Sequence, residues 1–181
     1  LEAALLDDAI DLAVINVLRE PLLDDRLEME IIFDEPILYA APTEHPAVQK
    51  TLASYQYSNC VPLAPTELVN EIPLISTKQG QKSTRLVKNF LQKNDLNPEV
   101  ALETVNLTTA INLVAKNVGA AFVPAEGAVT CKHPGKVTFF LMDSPDLIWH
   151  LAVIYRRGRY LGRLPRMFID AMKSALGNRK F

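Results

Sequence analysis

Cysteine is scarce in this sequence: Cys60 and Cys131 are the only two in 181 residues, far apart and in no metal-like spacing. That reads as two buried, reduced thiols in a cytosolic protein, with a single disulfide between them as the less favoured alternative. A basic excess is also lacking, with 19 Lys plus Arg against 21 Asp plus Glu and a formal net charge of −2. Nucleic-acid binding rests largely on a basic surface that neutralises phosphates, so direct contact of these residues with DNA or RNA is not expected. No run approaches the ~18 apolar residues that a membrane span requires. The opening "LEAALLDDAID" is acidic and has no basic n-region, so it does not read as a signal peptide. Internal repeats, low-complexity segments and charge blocks are absent as well. What remains is an ordinary globular composition, 49% hydrophobic and 22% charged, long enough for one large domain or two small lobes.

The pattern that is present alternates strands with helices of about ten residues, which points to an α/β fold with mainly parallel sheets. Asp11 to Ile15 ("DLAVI") has the short apolar character of a buried parallel strand. Leu27 to Phe33 and Ile37 to Ala41 read as two further strands with "DEP" as a breaker between them, because Pro36 biases Glu35 away from helix. "APTEHPAV" reads as a hinge or loop, and Thr66 as the cap of a short helix through Asn70. Leu74 to Ser76 is a short strand. After it, Leu86, Val87, Phe90 and Leu91 form the apolar face of a helix. Glu99 to Val105 alternates as a strand should. "TVNLTTAINLVAKNVGAAFVP" then supplies a strand end, a helix and a strand closed by Pro124. Val137 to Leu141 and Leu147 to Tyr155 are the last strands. In the closing helix Leu164, Phe168, Ala171, Met172 and Ala175 share one face.

Familiar catalytic patterns fail in turn. "GQKST" at Gly80 to Thr84 lacks the earlier glycine and the Gly-Lys step of a phosphate-binding loop, and reads as a polar turn. His45, His133 and His150 lie far apart in no His-Glu-x-x-His pattern, so no metal site and no cofactor are expected. There is no Gly-x-Ser-x-Gly elbow and no spaced carboxylate pair, so nothing argues for an enzyme. Two polar helix starts are left. The first turn of a helix carries unpaired N–H groups and the positive end of the macrodipole. In parallel α/β sheets such ends gather at the carboxyl edge of the strands, where ligands bind. One start follows Ile75, with Ser76, Thr77 and Gln79 ahead of the helix that carries Arg85; the other is Asn106 to Thr109. Each residue serves equally well as a cap for its own helix. Two such starts after consecutive strands also suit convergence on one anion.

The order of motifs resembles a family. "LLDDAIDLAVI" is similar to a strand entry of the form Leu-x-x-Gly-x-Leu-Asp-Leu-Ala-Ile, and "EPILYAAPTEHPAV" to Glu-x-Leu-x-Leu-Val-x-Pro-x-x-His-Pro-Leu. "IPLISTKQGQKSTRLVKNFL" looks like the proline-led strand and following helix. "LVAKNVGAAFVP" is similar to Leu-Val-Ala-x-Gly-x-Gly-Ile-Ala-x-Leu-Pro, and "FIDAMKSAL" to the closing helix. On these motifs the chain resembles the effector-binding domain of LysR-type transcriptional regulators.

The resemblance implies a periplasmic-binding-protein-like (type II) fold of two subdomains joined by two crossover segments. Residues 1–42 and 150–181 would form subdomain I, and 43–149 subdomain II. A small anionic metabolite would bind in the cleft between them. By position the effector residues would be Ser76, Thr77, Arg85, Asn106, Leu107, Thr108, Phe122, Val123 and Pro124. The implied regulator is cytoplasmic, pairs as a homodimer or homotetramer and meets DNA only through a helix-turn-helix domain that this chain does not contain. A solute-binding protein of a transport system is the alternative reading. Two departures stand out. Asn117 takes the place of the first glycine of Gly-x-Gly, where its tolerance of left-handed backbone preserves the geometry. The strand and helix that usually open the domain are also missing, so subdomain I is expected to be incomplete at its N-terminus.

Overall fold

The computed structural model describes residues 1–17, 23–54, 61–77, 82–142 and 144–177. Its elements, in chain order, are α1 (Glu2–Leu6), β1 (Leu12–Val17), β2 (Leu27–Pro42), α2 (Pro46–Ala53), β3 (Leu63–Ala64), α3 (Leu68–Glu71) and β4 (Leu74–Thr77). There follow α4 (Lys82–Lys93), β5 (Val100–Thr104), α5 (Leu107–Val114), β6 (Ala121–Pro124), α6 (Ala125–Val129), β7 (Val137–Met142), β8 (Ile148–Arg156) and α7 (Arg163–Leu176). The chain divides into two compact units. One comprises Leu1–Glu35 together with the described residues from Ile148 onward, and the other Pro36–Leu147.

In the first unit β8 lies between β1 and the early part of β2, and β1 pairs with it antiparallel from Leu12↔Tyr155 to Val17↔His150. The "DLAVI" strand is thus antiparallel to its neighbour. Leu5, Ala13, Leu27 and Ile154 form one small core. α1 ends where Asp8 turns left-handed at φ 57°, and its carboxylate then meets Arg156 and Arg159, each at 2.8 Å. Val153, Leu161 and Ile169 form a second core, with Met172 packed on it. The closing helix therefore turns Ile169 inward. Leu164 and Phe168, on the face the sequence marks as apolar, are 78% and 46% exposed.

β2 corrects the sequence reading. "DEP" does not break it; one strand runs through Pro36. Proline removes a ladder donor but also forces the preceding residue to extended backbone, which is what a strand needs. Side chains also tie the residues just before it. His150 Nδ1 lies 2.6 Å from Asp34 Oδ1, and Trp149 Nε1 donates to Glu35 Oε2 at 2.7 Å. "EHPAV" is likewise a helix start, not a loop: the His45 ring accepts from the Ala47 amide at 3.3 Å and Pro46 takes the first turn, where its missing N–H costs nothing.

In the second unit the late part of β2 pairs antiparallel with β6 and with β7, while β3 joins β7 parallel. β4 and β5 run parallel, as the strand–helix–strand pattern requires. The sheets are accordingly mixed. α5 covers one face, where Ile75, Ala110, Ile111, Val114 and Val123 form a core. α4 brings Leu86 and Phe90, both buried, into the fold, and the Phe90 ring packs 5.7 Å from that of Phe122. Asn117 takes φ 60°, the left-handed conformation expected of it. Gly119 sits so close to Pro73 that an added Cβ would come within 2.4 Å of the Pro73 carbonyl oxygen.

Candidate functional site

The second unit brings three strand ends to one edge. In the parallel β4–β5 pair Ser76 stands opposite Glu103 and Thr77 opposite Thr104, so the chain leaves both strands for α4 and α5 on the same side. Beside β4, Ile75 N donates to Ala120 O at 2.7 Å and Ala120 N to Pro73 O at 2.8 Å. This parallel bridge carries the chain into β6 with the same polarity. The carboxyl ends of β4, β5 and β6 therefore lie together, the place where ligands collect in parallel α/β arrangements.

From this edge a cavity of about 730 Å³ extends along α4 towards the start of β5, within the size range of small-molecule sites. Ser76, Thr77, Thr84, Arg85, Lys88 and Glu103 line it with polar and charged groups, and Leu74, Leu91, Val100 and Phe122 supply apolar surface. The hydroxyls of Thr77 and Thr84 lie 2.7 Å apart, tying the end of β4 to the first turn of α4. Ser76 Oγ donates to the Thr77 carbonyl at 3.3 Å, a long bond that a better acceptor would displace. Arg85 and Lys88, three residues apart on α4, face the same space.

The second helix start divides its duties. Asn106 Oδ1 accepts from the Thr109 amide at 3.1 Å, so this residue is the cap of α5. Its own amide donates to Thr104 Oγ1 at 3.2 Å. Thr108 is exposed, and Leu107 packs against the core beneath α5. Val123 is fully buried in that core, and Pro124 pairs with Ile37 across β2. Of the nine residues singled out from the sequence, the cavity thus collects Ser76, Thr77, Arg85 and Phe122. Thr84, Lys88 and Glu103 join them without having been singled out. Their signal was available in part: Thr84 and Lys88 are spaced i, i+4 along α4, but the partnership of Glu103 with Ser76 depends on a strand register that the sequence does not state.

The histidines serve apart: His45 caps α2, His133 meets Asn112 at 2.7 Å and His150 meets Asp34. Among the described residues no group of three or more His, Cys, Asp or Glu is placed to hold a metal ion. No helix among them is long and apolar enough to cross a membrane. Cys131 is half-buried, and Cys60 lies outside the described residues.

Comparison with known proteins places this geometry in context. The family model described as the LysR substrate binding domain matches residues 1–177. An uncharacterized HTH-type transcriptional regulator of Bacillus subtilis (strain 168), YcgK, is 24% identical over 176 residues, covering 92% of this chain and 52% of the relative. The chain therefore spans about half that relative's length. Among solved structures, the regulatory domain of Synechocystis PCC6803 CcmR in complex with 2-PG matches with a TM-score of 0.73 at 18% identity, covering 97% of this chain and 78% of that one. The effector binding domain of BenM with its effector benzoate matches with a TM-score of 0.72 at 16% identity, covering 99% and 76% respectively. At such identities these likenesses establish the fold.

Proposed function

The chain belongs to the family of LysR substrate binding domains, and from that premise we propose that it is the sensing part of a transcriptional regulator. In this reading a small anionic metabolite binds at the cavity of the second unit. Ser76 and Thr77 give it hydroxyls and Arg85 a positive charge. Phe122 offers apolar surface, and Asn106 and Thr108 stand on the neighbouring helix start. The carrying observation is that Ser76, Thr77 and Arg85 line one cavity at the shared carboxyl edge of β4, β5 and β6. Regulation then follows from differential affinity: an effector that favours one arrangement of the regulator shifts its population, and a DNA-binding part elsewhere in the protein reads the shift. The regulator works in the cytoplasm as a homodimer or homotetramer, and the domain binds its ligand without turning it over. The relative with a helix-turn-helix name supports this reading over a transport protein.

A thermal-shift screen of small carboxylates and phosphate esters tests it. At least one compound should raise the Tm of the wild-type chain, as any ligand selective for the folded state must. Ser76→Ala and Arg85→Ala should unfold like wild type without ligand, and each should weaken binding about tenfold, or ~1.4 kcal/mol. Equal binding by both variants would remove the site from this cavity.

A further inference from the structure

The cavity is lined by charges of both signs. Helix α4 contributes the cations Arg85 and Lys88, and strand β5 contributes the carboxylate of Glu103, whose register partner on β4 is Ser76. No ion pair joins Glu103 to either cation. All three charged side chains are exposed, so water satisfies them while the cavity is open. A ligand that fills the cavity changes this balance. It displaces water from Glu103 as well as from the cations, and a carboxylate stripped of water without a donor is costly. An effector with negative charge alone would satisfy Arg85 and Lys88 but leave Glu103 desolvated and repelled. An effector that also carries an ammonium group satisfies charges of both signs.

From this arrangement we infer that the effector is an amino-acid-like zwitterion with an apolar body. Its carboxylate meets Arg85 and Lys88, its ammonium meets Glu103 and Ser76, and its body lies on Leu74, Leu91, Val100 and Phe122. The inference rests on the placement of the effector site in this cavity and revises the anionic metabolite to one whose carboxylate is balanced by an ammonium group. Glu103 then acts as the selector: it rejects simple acids that would otherwise suit the two cations.

The test uses matched probes that differ by one charge. Phenylalanine is titrated beside its deaminated acid, 3-phenylpropanoate, and its decarboxylated amine, 2-phenylethylamine, and leucine beside 4-methylpentanoate and 3-methylbutylamine. Calorimetry on the 181-residue chain should show one of the amino acids binding at least five-fold more tightly than both of its analogues, about the size of one partly solvated charge contact. Glu103→Gln should erase the advantage over the deaminated acid while leaving binding of that acid equal or tighter. Arg85→Ala should weaken the amino acid and the acid alike. A deaminated acid that binds as tightly as its amino acid, in an Arg85-dependent way, overturns the zwitterion and leaves the effector site in place. Absence of binding by both amino acids also overturns it, and only a carboxylate screen without a single Arg85-dependent hit removes the site itself.

Discussion

Tyr39 carries its hydroxyl into the interior of the second unit, where that oxygen has no hydrogen-bond partner. Burial, with the Glu71 carboxylate adding to it, holds the phenol well above its ordinary range and so favours its neutral form. The ring is well used: it packs 5.1 Å from Phe122, which in turn lines the cavity. A buried hydroxyl without a partner loses its hydration for no return. Tyr39→Phe should therefore leave thermal stability unchanged or raise it, by up to about 1–3 kcal/mol. A loss beyond about 1 kcal/mol in a denaturant titration would show that the hydroxyl has a partner after all. At this scale the sequence was legible where a residue acts through its own backbone. Asn117 was readable as left-handed, and Asn106 as a candidate cap. It was illegible where the neighbour comes from elsewhere in the chain, as with Glu103 opposite Ser76.

Between elements, the tightest joint is at Gly119. The chain passes so near Pro73 that the two segments exchange backbone hydrogen bonds around Ala120, and no side chain fits. Since the obstructing atom is a backbone carbonyl, it cannot swing aside. Gly119→Ala should cost about 3 kcal/mol by equilibrium unfolding, and a loss below about 0.5 kcal/mol would mean that the β4–β6 approach is looser than described. The closing helix α7 gives the opposite case. Its sequence carries apolar residues on two faces. Periodicity marked the face of Leu164, Phe168 and Met172, of which Met172 packs against the core, yet Ile169 is the residue buried in it. Period alone cannot say which of two apolar stripes finds a partner. In this chain Ile169→Ala should cost about 2–5 kcal/mol, whereas Leu164→Ser with Phe168→Ser should change stability by less than about 0.5 kcal/mol per site. Reversed costs would contradict the orientation of α7. β2 teaches a related lesson, because proline was read as punctuation when its effect on Glu35 is to extend the strand.

For the whole molecule, family and fold class were legible because they depend on the order of many loose motifs spread over the chain, and the match over residues 1–177 bears them out. The candidate cavity was foreshadowed only as a location, the carboxyl edge of β4 and β5. Its walls come from α4, β5 and β6 together, and no local spacing encodes that meeting. The chain passes between its two units at Glu35–Pro36 and at Leu147–Ile148, and side-chain hydrogen bonds from Trp149 and His150 fasten the strands beside those passages. The central claim is that the effector lies in the cavity along α4. Amide chemical-shift mapping tests it most directly, with the compound that raises Tm most in the carboxylate screen. The largest changes should fall on Ser76, Thr77, Arg85, Glu103 and Phe122, with core amides such as Val153 unmoved. Large changes confined to the first unit, with those five amides still, would contradict the account.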